Sequence, residues 1–296
     1  MLKHALVVPV KVHALVVDSF VKDHVAFNRF QMNYNELTDH LSPEPLPFDD
    51  VPTNDLVEIG VYVHWHLPAG LTQARQKADG TMEYPLVPNR WLVIRQIGTG
   101  PDQQTAAWII ESDRLNNPQG SAFCIYNEQG KKVQPTKIGK KVSLTSWRGD
   151  DGNKTKLFLT AAGAGDVTYS FYQPSCQNVF SIHDPLLDHG TNEINEAEID
   201  YTVLGWFSNE AGDPLHEASK PEQWKQIAEE YGWKVDDHTA QLTVNSTLFR
   251  GEVKKVKWRR NVDQQQNPEM NNPNKKVVVG LTSVDAIAEL LGSYNC

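Results

Sequence analysis

The sequence predicts a mainly β fold, α+β with few helices, built as a β-sandwich or as barrel-like sheets. Three observations carry this expectation. Short β-branched runs bounded by turn residues recur along the whole chain, period-2 alternation is clear at 57–66, and only two stretches show helical periodicity. The chain has 296 residues, 40% of them hydrophobic and 22% charged, with 19 glycines and 17 prolines. That composition is globular, and the length allows a large core without disulfides. We expect one large β-rich domain over 1–296, or two lobes, about 1–190 and 191–296, meeting near Gly190.

In chain order, valine-rich runs at 5–10 and 12–17, broken at Pro9, read as the first strands. In 57–66, alternation puts Val57, Ile59, Val61, Val63 and Trp65 on one face and Glu58, Gly60, Tyr62, His64 and His66 on the other. The apolar run 91–97 reads as a buried strand. Further strands are expected at 107–111, 123–127, 157–160, 167–172, 200–206, 241–244, 252–258 and 277–280. A helix is expected over 221–231, with Ser219 as cap, Glu222 completing a capping box, and Trp224, Ile227 and Tyr231 as its apolar stripe. Gly232 follows as its stop. A second helix is expected over 283–291. The stretches 33–54 and 259–274 are Pro- and Asn-rich and read as long loops.

The formal charge of -9, from 28 basic and 37 acidic residues, disfavours nucleic acid as a partner. No apolar run approaches the length of a membrane span. The early apolar run is stopped by Lys11, short for a secretory signal, so a cytoplasmic location is expected. Cys124, Cys176 and Cys296 are too few and too scattered for a disulfide framework or a cysteine zinc site.

Several motifs bear on chemistry. His64 and His66 share a strand face, so two imidazoles there can reach one zinc or iron, with His183, Asp184 or His189 as the third ligand. The competing reading leaves both histidines in solvent or in cross-sheet hydrogen bonds. Ser181, His183 and Asp184 do not read as a triad, because adjacent strand residues diverge and no GxSxG elbow exists. Asp184-Pro185 reads instead as the start of a helix or turn. Gly163 and Gly165 lack the spacing of a phosphate loop and read as a turn. Of eight tryptophans most lie in apolar patterns, whereas Trp147 sits in a polar loop and is the candidate for a sugar or partner contact. In the basic run 254–260, alternation puts Lys255, Lys257 and Arg259 on one side and Lys254, Val256, Trp258 and Arg260 on the other. That pattern suits a protected edge strand or a patch for an acidic partner. Arg90, at a strand entry, is expected to pair with an internal carboxylate, or else to contact a ligand.

A set of segments, in order along nearly the whole chain, resembles a family of long, poorly characterised bacterial proteins. They are PVKVHALVV from Pro9, GVYVHWHLP from Gly60, PLVPNRWLV from Pro85, FSIHDP from Phe180, and DYTVLGWFS from Asp200 with DPL from Asp213. TLFRG from Thr247, VKW from Val256 and VVGLTSVDAIAEL from Val278 complete the set. The resemblance implies the N-terminal module of a longer protein and carries no reaction. The chain departs from the family pattern at His66, where alanine is usual, and at Arg250, where histidine often precedes the glycine. Both departures weaken a metal site shared with the family.

Catalytic spacing is absent while fold-type motifs abound. The leading expectation is therefore a non-enzymatic structural or docking module of a large bacterial protein, as cargo or component of a phage-tail-like or secretion-related particle. Its partners would be proteins or the rest of a longer chain, and no cofactor is expected. The alternatives are a metal-dependent hydrolase or oxygenase using the histidine cluster with zinc or iron, and a carbohydrate-binding module.

Overall fold

The computed structural model describes residues 4–22, 58–76, 79–126, 132–149, 159–161, 176–188, 192–235 and 242–261. The expected helix at 283–291, the loop at 33–54, the strands at 167–172 and 277–280, Gly163, Gly165, His189 and Cys296 lie outside them, as does most of the loop at 259–274.

The strands are β1 (His4–Pro9), β2 (Lys11–Val17), β3 (Gly60–His66), β4 (Arg75–Gln76), β5 (Met82–Glu83), β6 (Arg90–Ile97) and β7 (Gln104–Leu115), followed by β8 (Ser121–Tyr126), β9 (Lys132–Ser143), β10 (Ser181–Asp184), β11 (Leu187–Asp188), β12 (Asn192–Glu193), β13 (Glu196–Trp206) and β14 (Val244–Arg259). Helices α1 (Ser19–Lys22), α2 (Ala69–Thr72) and α3 (Pro221–Glu230) and two short 3-10 turns, Gly100–Asp102 and Glu210–Gly212, complete the described elements. The fold is mainly β, as the sequence predicts. Seven strands form one sheet in the order β1-β14-β13-β6-β7-β9-β8, and β10-β3-β2 form a second. The sheets are open; no barrel closes among the described residues.

The two sheets pack face to face. Val61, Val63 and Trp65 of β3 meet Trp91 and Val93 of β6, Tyr201 and Val203 of β13 and Phe249 of β14 in one buried cluster. The Trp65 and Trp91 rings lie 5.3 Å apart. Truncating one such ring to alanine costs about 3–5 kcal/mol. Gly205 faces Trp91 across the ladder, and a Cβ there would strike the ring. The chain changes sheets at Pro9, which cannot donate to a ladder. Val10 still bonds the Arg250 carbonyl at 2.9 Å, after which β2 pairs antiparallel with β3.

Several expectations need correction. Of the run expected at 241–244, Val244 begins β14, the same strand that carries 252–258, while 242 and 243 precede it and 241 lies outside the described residues. Strand β9 has no counterpart in the expected list, because its KVQPTKIGKKVS is polar and contains Pro135. Of the two alternatives for Asp184-Pro185, the turn is the one formed and not the helix: Asp184 ends β10 and its carboxylate accepts from the Leu186 amide. Of the 157–160 run, Thr160 bridges to Leu86, and 157 and 158 lie outside the described residues. In α3, Gln223 rather than Glu222 closes the cap, accepting from the Ser219 and Lys220 amides. At the other end Gly232 takes φ +66°, and its amide and that of Trp233 bond the Glu229 and Ala228 carbonyls. This glycine-terminated cap folds the chain back so that Trp233 stacks on Tyr231 at 4.7 Å.

Candidate functional site

Alternation on β10 separates the predicted pair His183 and Asp184. Asp184 points between the sheets, 1% exposed, and its carboxylate accepts from Arg95 Nη1 at 3.0 Å, Tyr201 Oη at 2.9 Å and the Leu186 amide at 3.0 Å. Arg95 also donates to the Leu187 carbonyl at 3.3 Å. Burial, then the charge of Asp184 and its hydrogen bond, pushes the Tyr201 phenol well above its usual range. This carboxylate joins β10 to β6 and β13. A side chain so surrounded by donors, buried between the sheets, is built to hold them together.

His183 points the other way. Its ring stacks on Tyr62 at 4.5 Å, one nitrogen lies 3.2 Å from the Ile59 carbonyl, and Nδ1 is 3.4 Å from exposed Glu58. Lys141 donates to the His183 carbonyl. Burial lowers the Lys141 pKa, against the carboxylates of Asp184 and Glu58, which raise it.

His64 and His66 do share the outer face of β3, their rings 4.4 Å apart. The strand register brings His183 opposite Tyr62 rather than opposite either of them. The histidine that does join them is His13 of β2, which lies opposite His64 and whose ring is 5.0 Å from that of His66. Sequence reasoning passed over His13 because its partner strand is unknown without the register. Burial, then His13 and Lys11, lowers the His66 pKa. As the rings stand, no three described His, Cys, Asp or Glu side chains converge on one ion.

The remaining candidates are placed as follows. Arg90 is 2% exposed and paired with Asp113. Asn89 donates to Asp113 at 2.8 Å and to Ser208 Oγ at 2.9 Å, and accepts from the Ser208 amide, so the NRW motif ties β6 to β7 and to the end of β13. Trp147 is half-buried, its indole donating to buried Glu111 at 3.1 Å. Lys255 takes φ +58° in a bulge, its amide bonding Asp200 at 2.8 Å. The bulge corrects the expected alternation: Lys254 joins Lys255, Lys257 and Arg259 on the exposed side, while Val256, Trp258 and Arg260 are buried. Beyond Arg250, β14 pairs only with β13 among the described residues, so the basic run does lie on an edge. Glutamates interleave with it: Arg259 meets Glu196 at 3.1 Å, Lys254 meets Glu252 at 3.1 Å, and Lys257 lies opposite Glu198.

A groove of about 600 Å³ runs beside β1, lined by Leu6–Pro9, by Pro68–Gly70 and Arg75, and by Tyr231 and Trp233. The Arg75 guanidinium lies 3.5 Å above the Tyr231 ring. Trp233 Nε1 is buried with no hydrogen-bond partner. Strand β1 pairs with β14 on one side, and among the described residues nothing pairs with its other edge. Val7 on it is 55% exposed. No element expected from sequence pointed here, since the groove needs three segments far apart in the chain.

No family model, no curated protein and no solved structure matches this chain. No helix among the described residues is long and apolar enough to cross a membrane.

Proposed function

We propose that this chain is a non-enzymatic structural or docking module of a larger bacterial assembly, working in the cytoplasm or loaded from it into a particle, with protein as its partner. The observation that carries the reading is the groove along β1. An open strand edge offers unpaired amides and carbonyls to an extended peptide. Trp233, whose buried indole N–H has no acceptor, forms part of the groove wall with Tyr231. Meanwhile Asp184 and Arg90, two of the charged residues singled out in the sequence, are engaged in holding the sheets, with Asn89 beside Arg90. The Trp147 indole N–H is tied to buried Glu111.

The test is photo-crosslinking from position 7 in living cells, followed by identification of the captured protein. The module reading expects one dominant protein adduct that Trp233→Ala reduces at least about tenfold, the loss expected when a central aromatic anchor is removed. Absence of an adduct, or one indifferent to Trp233→Ala, contradicts docking at this groove.

A further inference from the structure

We propose that His13, His64 and His66 together bind one late first-row divalent cation, such as zinc, on the outer face of the three-stranded sheet. The register of β2 on β3 pairs His13 with His64, and His66 follows two positions along, so all three side chains leave the same face. Ring centroids are 4.4 Å apart for His64 and His66 and 5.0 Å for His13 and His66. Three imidazoles around a tetrahedral ion, with metal–nitrogen bonds of about 2.0–2.1 Å, hold their centroids about 5 Å apart. The two spacings about His66 are close to that value.

What differs is ring orientation. The rings stand edge to face, at 74° and 82°, and no three ligating groups converge in that arrangement. Turning an imidazole about χ2 swings its nitrogens through a broad, shallow well without moving the backbone. His13 is exposed and His66 half-buried, which leaves room for that turn, while His64, 8% exposed, is the fixed member. An all-imidazole set selects zinc, nickel, cobalt or copper over magnesium or calcium, which prefer oxygen. Lys11, exposed and opposite His66, places a positive charge beside the ion and opposes binding. His183 belongs to the next row, against Tyr62 and Glu58, and takes no part.

This inference is independent of the docking reading, since the histidines line none of the β1 groove. The test is calorimetric titration of the full chain with zinc alone near neutral pH, with cobalt(II) absorption as a second readout. One ion per chain is expected, with the intense visible bands of tetrahedral cobalt. Loss of an outer-sphere partner costs up to about a hundredfold in metal affinity, so loss of a ligand in His13→Gln should cost at least that. Lys11→Gln should tighten binding, and His183→Gln should leave it unchanged. His13 is exposed, so its variant keeps the fold, which an unchanged melting temperature verifies. Absence of saturable binding, or zinc binding that survives His13→Gln in a folded protein, overturns the site.

Discussion

The two faces of the three-stranded sheet treat polar side chains in opposite ways. On the inner face, Asp184 stands among Ile182, Val61, Val63 and Trp65, and donors from β6, β13 and its own turn surround it. On the outer face, the His66 ring lies against those of His13 and His64, and His183 lies against Tyr62. His183 and Asp184 are adjacent in the chain and belong to different faces. Strand alternation alone assigns one to the frame and the other to the surface. A motif such as SIHDP therefore holds two unrelated roles that spacing in sequence cannot separate.

The comparison breaks most readily at its buried end. Asp184→Ala leaves Arg95 uncompensated between the sheets, and removing one member of a buried pair costs about 3–5 kcal/mol. Urea unfolding measures this; a loss near that of an exposed ion pair would mean that the carboxylate does not hold the sandwich. Trp147→Phe removes the indole donor from buried Glu111 and should cost about 1–3 kcal/mol by the same measurement. An unchanged midpoint would return Trp147 to the list of free contacts.

The outer face should answer more weakly. His183→Ala forfeits the stack on Tyr62, worth about 0.5–1.5 kcal/mol. His66, whose pKa is lowered in the folded state from the ordinary 6.5, makes the outer face sensitive to acid. The unfolded chain binds more protons there than the folded one, so stability is full above 6.5 and declines as pH falls through that value toward the lower folded pKa. Melting temperatures across that window should fall less in His66→Gln, and parallel curves would refute the assignment. Smallest of all, Arg259→Ala removes an exposed pair with Glu196 and should change stability by about 0–1 kcal/mol, less at high salt. A larger loss there would show that the charged edge of β14 is part of the frame.

Much of the frame was legible in the sequence. The alternation at 57–66 correctly put Val61, Val63 and Trp65 inside, and the apolar runs at 91–97 and 200–206 marked the two central strands β6 and β13. Helix α3 and its Gly232 stop were legible because their signals are local. Strand β9 was hidden because its pairing with β7 and β8, rather than hydrophobicity, makes it a strand. The roles of candidate residues were hidden for a related reason. Asp184 meets Arg95 from 89 positions away, and only the register of β2 on β3 shows His13 beside His64. Local chemistry is written in neighbouring residues, whereas contacts between strands depend on a topology that no single segment encodes.

The central claim is that the edge of β1 that pairs with no other described strand, together with the Tyr231–Trp233 wall, forms a protein-docking groove. Sedimentation of native lysate, followed through peptides of this chain, tests it most directly when the wild type is run beside Trp233→Ala. The account predicts that the wild type travels with a larger assembly and that the variant, still folded, moves to the position of the free chain. If both travel alone, or both remain with the assembly, the groove is not where this protein docks.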